Sequence, residues 1–154
     1  MTRLREQVAA FHAMFGYTSN DKPTIPSADE VRRRCRLVIE EALEFVQAMV
    51  HKDSAAWWAM KYLKQRIFYV VDKMELEVDI VEVADACADI DYVVEGSRLA
   101  FGIDGDDIAD EVHKANMAKL GVDGKPLKDA AGKTIKPEGW TPPDIAGCLE
   151  KQGW

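Results

Sequence analysis

Residues 81–101, VEVADACADIDYVVEGSRLAF, decide the fold. Wound at about 100° per residue, the run is apolar almost all round, yet it carries Glu82, Asp85 and Asp89. Spacings of three and four set these acids in one column. Val78, Ala86, Val93, Gly96 and Ala100 share their side. The stretch from about Val78 to Phe101 therefore reads as one long buried helix, ended by Gly102. A lone ionised carboxylate buried there is costly unless it is paired or metal-bound, and neighbouring carboxylates repel one another. Arg98 points nearly the other way. Two readings fit the column: a divalent cation gathered by it, or a structural polar layer.

Working towards the N-terminus, DKMELEVD (residues 72–79) is a hinge or turn. Before it, residues 54–71 form a third helical stretch, with Trp57, Trp58, Met60, Leu63, Ile67 and Val71. A second helix starts at the capping-box pattern Ser27…Glu30. Its apolar stripe, Val31, Cys35, Val38, Ala42, Phe45 and Met49, runs through to about His51. Leu4, Val8, Phe11 and Phe15 make a first helix that Gly16 can end. Towards the C-terminus, Asp106 or Asp107 caps a helix reaching Leu120 and Gly121. Residues from about 122 to 154 are rich in Gly, Pro and Asp, and predict an irregular surface loop with a small hairpin and a loose tail. The expected architecture is all-α, a four- to five-helix antiparallel bundle in a single domain.

The second helix carries EEALE, with Glu40, Glu41 and Glu44. Glu41 and Glu44 are neighbours on one face, with Glu41 about 80° from the centre of the apolar stripe. A solvated acidic face is one reading. If the long helix packs antiparallel to this one, the two acidic groups face each other and four or five oxygens surround a hard cation, Mg²⁺ or Mn²⁺. Rival chemistries lack their residues. His12, His51 and His113 do not follow a Glu by three, as di-iron ExxH pairs need. There is no HD dipeptide, no Cys/His cluster for zinc and no phosphate-binding GxxxxGK[ST] loop.

The net charge is −7, from 20 basic and 27 acidic residues, which argues against a nucleic-acid grip. A metal can still reverse the local sign for a small anionic substrate. No apolar run approaches a membrane span, and the start MTRLREQVAAFHAMFG reads as an amphipathic helix, not a signal peptide. Cys35, Cys87 and Cys148 are dispersed, which suits reduced thiols in a cytoplasmic protein.

In order along the chain, VAAFHAMFG, RLVIEEALEF, ADIDYVV…AFGID, EVHKANMAKLGVDGKP and KPEGWTPPDI resemble the MazG/HisE superfamily of all-α nucleoside triphosphate pyrophosphohydrolases, which is related to the dimeric all-α dUTPases. The likeness covers most of the chain and is closest to the single-domain MazG-like branch. It implies Mg²⁺-dependent cleavage of a nucleoside triphosphate, with dGTP or dUTP the favoured substrates, to the monophosphate and pyrophosphate. It implies metal ligands at Glu41 and Glu44, with others among Glu82, Asp85 and Asp89, and a carboxylate at Glu40 or Glu44 acting on the attacking water. It also implies phosphate contacts from Asn116 and Lys119, with Lys114 nearby and His12 within reach of the nucleotide, and a homodimer or homotetramer. Two features depart from the pattern. Anchored on the GID turn, the family Asp falls on Asp89 and Ala86 stands where Glu is usual. The gap between the acidic motifs, positions 45 to 81, is long. Trp57 and Trp58 lie in that extra material, either covering the base or packing at an interface. A non-catalytic helical binding module with a degenerate acidic site is the competing reading.

Overall fold

A computed structural model describes residues 2–128 and 134–154. Among them are six α-helices and no strand: α1 (Arg3–Phe15), α2 (Ala28–Ala48), α3 (Ala55–Lys73), α4 (Ile80–Phe101), α5 (Gly105–Met117) and α6 (Ile145–Lys151). The all-α expectation holds. The chain forms two compact units, Lys22–Ile80 in one and the flanking segments up to Asp21 and from Val81 to Trp154 in the other.

The first unit is the α2–α3 hairpin. Ser27 caps α2 by accepting from the Glu30 N–H at 3.3 Å. Only half of the capping box forms, because the buried Glu30 carboxylate turns to Arg33 at 3.3 Å and Arg34 at 2.6 Å. Ser54 caps α3 through the Trp57 N–H at 3.2 Å. The helices run antiparallel: Arg36 meets Asp72 at 3.0 Å, Glu44 meets Lys64 at 3.1 Å, and Gln47 donates to the Trp57 carbonyl at 3.2 Å. These contacts use the polar flank of α2. The later part of its apolar stripe stays open, with Val38, Phe45 and Met49 exposed by 48%, 47% and 52%, while Val31 and Cys35 are half-buried. The seam expected along that stripe is therefore not formed by α3.

In the second unit α1 packs on α5, and α5 on α6. Arg3 and Gln7 of α1 both meet Asp110, Gln7 at 2.6 Å. Phe15 is fully buried and stacks on Phe11, ring centres 4.2 Å apart. Gly16 (φ 68°) and Gly102 (φ 68°) end α1 and α4 in the left-handed conformation that glycine adopts without strain. Asp104, rather than Asp106 or Asp107, caps α5, accepting from the Asp106 N–H at 3.0 Å. Its extended backbone just past the Gly102 turn brings its carboxylate over the first helical N–H groups.

Three further expectations change. The tail is not loose. Residues Ile145–Lys151 form α6, with Cys148 buried and Gln152 exchanging hydrogen bonds with the Asp104 backbone at 2.9 and 3.0 Å. Where a small hairpin was expected, the described residues show isolated bridges, Leu120–Pro126 and Lys128–Thr134; residues 129–133 lie outside the described residues. The long helix α4, expected buried, has no buried residue. Val81, Tyr92 and Leu99 are exposed by 72%, 82% and 75%. Within its own unit α5 packs on α1 and α6, and among the described residues no helix of that unit packs closely along α4.

Candidate active site

The α2–α3 hairpin builds a small charged cluster from helical spacing alone. Glu40 and Glu44 are one turn apart, so both carboxylates reach the α3 side of α2. Lys64 rises from α3 between them. Its ammonium donates to Glu40 Oε1 and to Glu44 Oε1, the latter at 3.1 Å. Its Nζ lies 6.0 Å from the centre of the Phe68 ring. Hydrogen bonding to Glu40 raises the Lys64 pKa above the usual lysine value; desolvation opposes this, and Glu44 adds to the rise. The group therefore stays an ammonium at neutral pH. Two carboxylates sharing one cation leave a net negative charge, and the donors are hard oxygens of the kind Mg²⁺ selects. A positive charge already sits where the two carboxylates converge, so their disposition fits a cation. Within either unit, no group of three or more His, Cys, Asp or Glu among the described residues is gathered closely enough to hold a metal.

Glu41, one residue on from Glu40, stands on an exposed part of α2. Glu82, Asp85 and Asp89 are likewise exposed on α4, in the second unit. In that unit Asn116 and Lys119 are brought together, Lys119 Nζ donating to Asn116 Oδ1 at 2.7 Å. Trp140 backs this pair. Its indole N–H donates to the Ala115 carbonyl at 2.8 Å, near the end of α5, and Lys119 lies 5.7 Å from its ring centre. Lys136 lies closer to the same ring, at 4.1 Å. Lys114 joins Glu111 instead, at 3.3 Å. His12 Nδ1 bonds the Thr18 carbonyl at 2.8 Å, and since a carbonyl only accepts, the proton is on Nδ1. That bond closes the turn after α1.

Sequence reasoning missed Lys64 and Trp140. Lys64 looks like any polar position on a helix rich in Trp, Leu and Ile, and only the α2–α3 register turns it to Glu40. The GWTPPD string drew notice as a turn, but its indole partner lies 25 residues away.

Comparison with known proteins follows the same lines. Across 98% of this chain and 96% of the other, the fold matches the crystal structure of a candidate NTP pyrophosphohydrolase from Exiguobacterium sp. 255-15, with a TM-score of 0.76 and 27% sequence identity. No curated protein matches the chain. The family model for phosphoribosyl-ATP pyrophosphohydrolase matches residues 8–116, a span that includes Glu40, Glu41 and Glu44 of α2, α4 with its acidic column, and Asn116. The chain belongs to this MazG/HisE-like pyrophosphohydrolase family.

Proposed function

We propose that the protein is a Mg²⁺-dependent nucleoside triphosphate pyrophosphohydrolase that releases a monophosphate and pyrophosphate. The convergence of Glu40 and Glu44 on one cationic point, in a chain of this family, carries the reading. Glu41 and Glu44 of α2 and Glu82, Asp85 and Asp89 of α4 are the proposed ligands. These residues would hold Mg²⁺ (or Mn²⁺), which would supply charge neutralisation at the phosphates and a more acidic water. Glu40 or Glu44 orients the attacking water and takes its proton as it reaches the α-phosphorus. Lys119, held by Asn116, balances the charge that develops on departing pyrophosphate, with Lys114 beside it. His12 completes the nucleotide contacts. Among substrates we favour a deoxynucleoside triphosphate, dGTP or dUTP, which places the enzyme in cytoplasmic pool control.

The chain works as a homodimer or homotetramer. Support comes from apolar side chains left exposed: Val38, Phe45 and Met49 on α2, and Tyr92 and Leu99 on α4. Covering what remains exposed contributes roughly 1 kcal/mol for each α2 side chain and up to about 2 kcal/mol for each on α4, and a second copy is the occupant we assign. The charge balance leaves no place for a nucleic acid, and no described helix is long and apolar enough to cross a membrane.

A panel of NTPs and dNTPs with Mg²⁺ tests the activity. Monophosphate plus pyrophosphate is the expected product pair, abolished by EDTA and restored by excess Mg²⁺ or Mn²⁺. Ala86, at the position where the family pattern has Glu, favours the second reading, a non-catalytic binding module. Absence of both Mn²⁺ binding and hydrolysis across the panel would establish it instead.

A further inference from the structure

Glu40 and Glu44 approach Lys64 from one side of α2, while the ammonium arrives from α3 on a flexible four-carbon stem. Lys64 is partly buried, as is Glu40. The neighbouring lysine, Lys61, has a different setting: its Nζ lies 4.9 Å from the Trp57 ring centre and 5.2 Å from that of Trp58. One lysine of α3 is thus committed to the glutamates and the next to the tryptophans.

We propose that Lys64 is the resident counter-ion of the Glu40–Glu44 pair and competes with a divalent cation for the oxygens of Glu44. This rests on the metal reading above. Without a counter-charge, two carboxylates one helical turn apart repel and splay towards solvent. With the ammonium between them they stay convergent before any metal arrives. A doubly charged ion draws the Glu44 oxygens more strongly, and Lys64 must then release them. As a compact point charge without a directional fork it can do so by rotating its own stem, with no change in α2 or α3. Lys64 is in this sense a positioning residue that trades metal affinity for a preorganised pair of carboxylates.

The test is Mn²⁺ titration of the full chain, read as the EPR signal of free Mn²⁺ without nucleotide, for wild type, Lys64→Met, Lys64→Gln and Lys61→Met. Two partly exposed ion pairs, once removed, are expected to tighten Mn²⁺ binding about three- to tenfold in both Lys64 variants. Lys61→Met, which deletes a nearby charge that does not touch the glutamates, should bind as wild type does. Unchanged or weaker binding in the Lys64 variants, with the helical circular dichroism intact, overturns the competition. Equal tightening in Lys61→Met also overturns it, since bulk charge then suffices. If both Lys64 variants lose their helical spectrum, the ammonium is a structural strut and the proposal falls. Wild type that binds Mn²⁺ with no Lys64 effect leaves the metal reading standing; wild type that binds none removes both.

Discussion

Glu40 and Glu41 are adjacent in sequence and have different surroundings. Glu40 is partly buried and bound to Lys64, whereas Glu41 is on an exposed part of the helix, about 100° around from it. The proposed division of labour follows: Glu40 acts on the water and Glu41 on the metal. Glu41→Gln keeps the size and helical preference of the side chain but removes the charge. We expect hydrolysis to fall about a hundredfold or more, because a lost ligand charge removes several kcal/mol of transition-state stabilisation. Far-UV circular dichroism should not change. Full activity in this variant would remove Glu41 from the ligand set. The EExxE spacing was legible as a candidate metal motif because i, i+3 and i+4 relations follow from helix geometry alone. Lys64 was not, because its meeting with Glu40 spans 24 positions and depends on how two helices pair.

At the scale of elements, helix ends are set locally, and some of them were readable. Ser27 and Gly102 mark boundaries where the sequence places them. The cap of α5 was misplaced by two or three residues, since DGDD offers three aspartates and only Asp104 has the extended backbone a cap requires. Ser54→Ala removes the hydroxyl that receives the Trp57 N–H and should lower unfolding free energy by about 1 kcal/mol in urea melts, with no change in product identity. Helix α4 offers a sharper experiment. Leu99 is largely exposed, so Leu99→Asp costs the isolated chain little. Within an interface the same change buries an unpaired charge. Light scattering should therefore show the variant shifted to monomer while its helicity persists; an unaltered mass would remove this face of α4 from the interface.

For the molecule as a whole, the apolar side chains of α2 and α4 tie stability to concentration. If a second copy covers them, the thermal midpoint should rise with protein concentration by mass action, and the native mass should be a multiple of 17.2 kDa. A midpoint independent of concentration and a monomeric mass would count against the homo-oligomer. Helical class, the approximate span of each of α1–α5, the acidic columns and the family were all readable from the sequence alone. Each depends on periodicity, caps or motif order, which involve residues within a few turns of one another or a fixed order along the chain. Tertiary structure alone decided that α3 would take the polar flank of α2, that Lys64 would sit between Glu40 and Glu44, that Trp140 would back Asn116 and Lys119, and that α6 would dock through Cys148 and Gln152. Those outcomes depend on which of several comparable surfaces pair, and a helix with apolar residues on many sides, as α4 has, does not say which of them will be covered.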